Sequence, residues 1–109
     1  MKKSIVLPLT EPMCYVLLAL TGQCRGVDIV KQVIELSDGR VVVGPGTVYR
    51  LLNEFLAYGL VEDALAGGVA RSFRITDKGF SLLQQELARS PLLASDANDC
   101  WRDFDEKPQ

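Results

Sequence analysis

Covalent catalysis has little to work with in this chain of 109 residues. There is no histidine, which removes the commonest general base, the commonest zinc ligand and every Ser-His or Cys-His pair. The three cysteines, Cys14, Cys24 and Cys100, are odd in number, lack C-x-x-C spacing and sit among apolar neighbours. That pattern reads as reduced, buried thiols and not as a metal or disulfide framework. No Gly-rich loop leading to a Lys offers a phosphate cradle. No metal, cofactor or enzymatic activity is therefore expected. What the residue types do offer is recognition by hydrogen bonding. Gly46, Arg50, Asn53 and Ala57 fall on one arc at about 100° per residue, with Tyr49 and Glu54 on its flanks. This is a narrow face of small, amide and guanidinium groups.

Composition sets the frame for that face. Apolar residues make up 48% and charged residues 24%, the balance of one folded domain. The formal charge of −2 argues at first against a nucleic-acid partner. Its distribution weakens that argument. Asp96, Asp99, Asp103, Asp105 and Glu106 outweigh Arg102 and Lys107, so residues 96–109 carry −3 and residues 1–95 carry +1. Pro8 and Glu11 cut the basic, then apolar, start before a signal-peptide core can form. The apolar run from Met13 to Leu20 is far shorter than the roughly 20 residues that span a bilayer. A cytoplasmic protein with no membrane partner is the expectation.

The elements that would position the recognition face follow from caps and periodicity. Thr10 caps a first helix with Glu11 and Pro12 in its first turn. Met13 to Leu20 has no polar side, and a helix apolar all round must be covered all round. Part of it, at Val16 and Leu20, is therefore expected to meet a second subunit. A second helix runs from about Val27 to Ser37, followed by an Asp38-Gly39 turn and the short β-branched run Val41 to Val43. Gly44-Pro45-Gly46 opens the third helix, and Gly59-Leu60 closes it in a Schellman arrangement on Phe55. Val48, Leu51, Leu52, Phe55 and Leu56 form its apolar arc.

After Gly59 the period drops to two. Leu60 to Ala66 and Ala70 to Ile75 read as strands of a hairpin turning at Gly67-Gly68, with Phe73 and Ile75 packed and Ser72 and Arg74 wet. Arg71 has the packed parity but lies near the turn, where its head reaches solvent. Thr76 caps a fourth helix carrying Phe80, Leu83 and Leu87 on one stripe. Pro91 either kinks that helix or starts a new one capped by Ser90. Beyond it Leu93, Ala97, Cys100, Trp101 and Phe104 make an apolar stripe. An exposed face of that size is expected to be a dimer contact.

The fold class is thus mainly α with a small β hairpin, in the order of a winged helix-turn-helix. The module takes residues 1–89, and residues 90–109 form a C-terminal dimerisation helix and acidic tail, with no room for a separate ligand-binding domain. In these features the chain resembles the PadR-like transcriptional regulators. The resemblance rests on Leu9-Thr10-Glu11-Pro12, on Gly26 with Asp28-Ile29, and on Gly44-Pro45-Gly46-Thr47-Val48-Tyr49-Arg50-Leu51-Leu52. It continues through Gly59-Leu60-Val61-Glu62 and Arg74-Ile75-Thr76-Asp77-Lys78-Gly79, covering roughly residues 9–89.

The resemblance implies a dimeric repressor whose third helix and wing contact double-stranded DNA through Thr47, Tyr49, Arg50, Asn53, Arg71 and Arg74. The chemistry of these groups agrees in part. Arg50 suits guanine O6/N7, Asn53 suits adenine N6/N7, and Tyr49, Arg71 and Arg74 can hold phosphates. Each has a structural rival. Arg50 can pair with Glu54, Tyr49 can edge the core, and Arg74 can simply keep a strand face soluble. The family usually places basic residues where Asn53-Glu54 stands, and a more basic, aromatic wing where Ala70 and Ser72 stand. Few phosphate contacts imply a shallow salt dependence. Some relatives bind flat aromatic effectors, which makes Trp101 a candidate for lining an effector pocket between subunits. A protein-binding adaptor on the same fold is the competing reading, favoured by the weakly basic face and the acidic tail.

Overall fold

A computed structural model describes residues 9–64 and 71–106, with side chains as far as Trp101. The expected wing tip at Gly67 to Val69, Ala70, and the side chain of Phe104 lie outside the described residues. In chain order the elements are α1 (Glu11–Ala19), β1 (Cys24–Arg25), α2 (Gly26–Leu36), α3 (Pro45–Tyr58), β2 (Val61–Asp63), β3 (Ser72–Ile75), α4 (Asp77–Arg89) and α5 (Pro91–Glu106).

Local chemistry sets most of these boundaries. The Thr10 hydroxyl accepts from the Met13 N–H, and the Thr76 hydroxyl accepts from the Gly79 N–H, each filling an orphan donor of a helix start. Asp38 and Gly39 both take positive φ, and the Gly39 N–H closes on the Ile34 carbonyl to end α2. Val41 to Val43 joins neither helix nor sheet, its outer two residues buried and Val42 exposed. At Pro91 the two sequence alternatives resolve. Ser90 is extended, its hydroxyl accepts from the Leu93 N–H at 3.2 Å, and α5 starts as a separate helix.

The sheet corrects the expected hairpin, because it has three strands in the order β1-β3-β2, all antiparallel. β1 is only two residues long, and it pairs Cys24 with Phe73 and Arg25 with Ser72. This covers the second edge of β3, where the Gly26 N–H also donates to the Arg71 carbonyl. The same cover explains a second correction: Ser72, expected on the wet face, is buried beside β1.

The core corrects the reading of the first helix. Val16 and Leu20 have 0% exposure within the single chain. α2 and α4 pack directly on α1, so its apolar surface needs no second subunit and these two residues are not available as dimer contacts. Leu93 and Ala97 are also buried, in the same core, through the packing of α5 on α4 and α2. They too are not exposed dimer contacts.

Glu86, on α4, is a buried carboxylate whose Oε2 accepts from the Leu9 N–H at 3.1 Å and from Arg89 Nη2. The Arg89 hydrogen bond, helped by the Leu9 N–H, holds this carboxyl below its ordinary value of 4.5. A lowered folded-state value contributes stability that is full above the unfolded value and lost as pH falls through the folded one. Glu86→Gln is accordingly expected to be less stable than the parent at pH 7, with the gap closing on acidification below 4.5. Urea melts at several pH values check this; a gap that is constant with pH contradicts it.

Candidate nucleic-acid interface

α3 carries the candidate recognition face, and its ends are set by Pro45 and Gly59. Pro45 stands in the first turn, where its missing N–H costs no bond. Gly59 takes the left-handed cap at φ 76°, its N–H donating to the Leu56 carbonyl and the Leu60 N–H to Phe55. Val48, Leu51, Leu52 and Phe55 are buried and lock the rotation of the helix. That rotation leaves Gly46, Tyr49, Arg50, Asn53 and Ala57 exposed and Thr47 half-buried.

Tyr49 serves two surfaces. It is 43% exposed, yet its phenol lies over the backbone of Gly26, where a Cβ would come 2.9 Å from the hydroxyl. The start of α2 and the middle of α3 therefore meet through a glycine. Among the described residues Asn53 makes no side-chain hydrogen bond, so its amide faces solvent with both functions free.

Each arginine of the face and wing holds a carboxylate. Arg50 Nη1 lies 3.2 Å from Glu54 Oε2, one helical turn on. On the wing, Arg74 Nε donates to Glu62 Oε2 at 2.6 Å, directly across the strand pair. Arg71 donates from Nε and Nη2 to both oxygens of Asp63, at 2.9–3.2 Å, while its guanidinium stacks 4.9 Å from the Phe73 ring centre. The sequence signals the Arg50–Glu54 pair by spacing alone. The other two needed the register Glu62↔Arg74 and Asp63↔Phe73.

The C-terminal side departs most from expectation. Trp101 packs on Phe80, ring centres 5.7 Å apart, and its indole N–H donates to the Thr21 hydroxyl at 3.1 Å. Cys100 is half-buried. The described part of the stripe, with Leu93, Ala97 and Trp101, thus lies against its own chain. A polar cluster missed in the sequence fastens it there. Arg40, in the turn between α2 and α3, donates to Asp96 on α5 at 2.6 Å and to the Tyr15 hydroxyl on α1 at 3.0 Å. Tyr15 also donates to Asp96, and burial, followed by that carboxylate, pushes its phenol up to about 12. A cleft of about 480 Å³ opens elsewhere, between α2 and the β1–β3 edge, lined by Cys24, Lys31, Glu35 and Ser72 among others and not by Trp101. Burial lifts the Cys14 thiol to about 12 and Cys24 to about 11, which leaves both as thiols at neutral pH.

Helices, a three-stranded sheet with a β2–β3 wing, and an outward-facing third helix define a winged helix-turn-helix protein. Residues 16–85 match the transcriptional regulator PadR-like family, and the chain belongs to that family. It is a DNA-binding transcription regulator. Among solved structures it is similar to a PadR family transcriptional regulator from Eggerthella lenta DSM 2243, at 26% identity and TM-score 0.57 over 80% of this chain and 78% of that one. It shares its fold with RosR of H. salinarum, at 23% identity and TM-score 0.62 over 75% and 74% of the two chains. The fold is also that of BpsR from Bordetella bronchiseptica, whose DNA binding is regulated by 6-hydroxynicotinic acid, at 21% identity and TM-score 0.60 over 87% and 62%. No curated protein matches the chain. No described helix is long and apolar enough to cross a membrane.

Proposed function

We propose that the protein is a dimeric, sequence-specific repressor that places α3 in the major groove and the β2–β3 wing on the backbone. The observation that carries this is the exposed arc of α3, which ends of fixed geometry and a buried opposite face hold rigidly outward. Arg50 pairs with guanine and Asn53 with adenine, Thr47 and Tyr49 flank them, and Arg71 and Arg74 hold phosphates. Two half-sites about one helical turn apart, roughly 10 bp, match a two-fold dimer. With Leu93 and Ala97 taken up in the chain's own core, pairing through α5 uses what that helix leaves uncovered, including Leu92 and the outer edge of Trp101. A planar aromatic effector beside Trp101 belongs to the same reading, supported by the BpsR fold and its 6-hydroxynicotinic acid response.

Fragments selected from the source genome provide the test. Arg50→Ala is expected to weaken the specific complex by about 1–3 kcal/mol, roughly five- to 150-fold, and to relax preference at one base pair. Its melting midpoint should stay at the parent's, since the lost ion pair is exposed. A mobility shift of equal strength for parent and variant contradicts the role of Arg50. A second reading, a winged-fold adaptor that binds protein, draws support from the pairing of Arg50, Arg71 and Arg74 with carboxylates. Absence of a specific shift with any genomic fragment would favour it.

A further inference from the structure

All six arginines with described side chains, Arg25, Arg40, Arg50, Arg71, Arg74 and Arg89, lie within ion-pair distance of a carboxylate. The three on α3 and the wing differ from Arg40 and Arg89 in one respect. Their partners Glu54, Glu62 and Asp63 are well exposed, at 42–48%, as is Asp28 beside Arg25, whereas Arg89 holds the buried Glu86 and Arg40 holds the largely buried Asp96 in addition to an exposed Glu11. Exposed pairs add little to a fold. Their consequence falls on any anion that approaches the same guanidinium.

We infer that Glu54, Glu62 and Asp63 are internal competitors for DNA phosphate and base acceptors, and that they set the affinity of the interface. The inference rests on the DNA-binding reading above. A carboxylate presents two oxygens in the geometry that a phosphate or a guanine edge would use. Asp63 already occupies the Nε–Nη2 side of Arg71, and Glu62 occupies Nε of Arg74. A phosphate that takes either place must displace the carboxylate and then lie close to it, a like-charge contact. On the scale of a Debye length, roughly 8–10 Å, each pair is also nearly neutral, so the face exerts little long-range attraction on DNA. Non-specific binding, which is almost wholly phosphate attraction, loses most of its drive. A correct site retains base hydrogen bonds, and Arg50 then has a reason to leave Glu54 that a wrong base does not supply.

The carboxylates therefore determine specificity without touching a base. Glu54→Gln, Glu62→Gln and Asp63→Asn, singly and combined, remove charge while keeping shape. Asp38→Asn, at a residue with φ 56° that Asn tolerates and that forms no ion pair among the described residues, makes the charge change of each single variant without releasing an arginine and serves as their reference. Anisotropy titrations of the full chain use a random-sequence duplex and the selected genomic fragment over a salt series. The triple variant is expected to bind the random duplex at least tenfold more tightly than the parent, with a salt slope steeper by about 0.9 for each arginine released. Its ratio of specific to random affinity should narrow, and Asp38→Asn should stay within about twofold of the parent. Equal random-duplex affinity for triple variant and parent overturns the inference even if the parent binds its fragment specifically. A gain from Asp38→Asn equal to that of each single variant also overturns it, because net charge alone would then explain the effect. If the parent shows no specific fragment but the triple variant still gains random-duplex affinity over Asp38→Asn, the repressor reading fails and the competition stands.

Discussion

Gly79→Ala is expected to melt roughly 15 °C below the parent, the equivalent of about 3 kcal/mol in a domain of this size. A Cβ at Gly79 would lie 2.2 Å from the Leu60 carbonyl oxygen and 2.8 Å from Ile75 Cγ1. The first of these neighbours is backbone and cannot swing aside. Nor can that backbone drift, because the Leu60 carbonyl accepts from the Thr76 N–H and the Leu60 N–H donates to Phe55. The Thr76 hydroxyl donates to the Gly59 carbonyl, and Lys78 Nζ donates to Tyr58. The end of α3, the start of β2 and the first turn of α4 thus meet at one point, and a methyl group forces them apart. Gly46→Ala is the informative contrast. Nothing lies within 4 Å of a Cβ there, so the substitution is expected to raise helix stability by about 0.5–1 kcal/mol. Thermal melts followed by circular dichroism measure both, and a Gly79→Ala midpoint within about 3 °C of the parent would sink the close-approach argument.

The same junction shows what was legible in the sequence. Thr10, Pro45, Gly59 and Thr76 announce helix ends because their effect is local: each satisfies, or does without, a bond within four residues. Ser90 and Pro91 allowed two outcomes, and only the serine's bond to Leu93 chooses between them. β1 left no periodic signal, since two residues cannot alternate. It exists because β3 has a free edge that the segment after α1 reaches. Apolarity of α1 was legible, but not what covers it. A helix surrounded by its own chain and one shared with a partner have the same composition, and here α2 and α4 supply the cover.

Much the same holds for the candidate site. The exposed arc of α3 follows from 100° periodicity and survives intact in the structure. Its electrostatics do not follow from periodicity, because Asp63 and Glu62 reach Arg71 and Arg74 only through the strand register. Arg40, Tyr15 and Asp96 come from three elements far apart in the chain, so no spacing could have joined them. That cluster ties the turn leading into α3 to α5.

The two faces of α3 should separate stability from recognition, and Phe55→Ala is the substitution that shows it most strongly. Phe55 has no exposed surface and stands at the centre of the buried arc formed with Val48, Leu51 and Leu52. Truncation to Ala leaves a cavity and costs about 4 kcal/mol, against a total stability of about 5–15 kcal/mol for a domain. A midpoint roughly 20 °C lower is expected, with a measurable unfolded fraction near physiological temperature. The molecules that remain folded still present Arg50 and Asn53, so DNA affinity per folded molecule should be close to the parent's in the cold. Arg50→Ala, five residues earlier on the opposite face, should do the reverse and lose specific affinity at an unchanged midpoint. Calorimetric melts paired with mobility shifts at 4 °C and 37 °C read both quantities from the same preparations. If Phe55→Ala loses specific binding in the cold while its circular dichroism spectrum remains native, the buried arc does more than hold the helix, and the division of α3 into a packing face and a reading face is wrong.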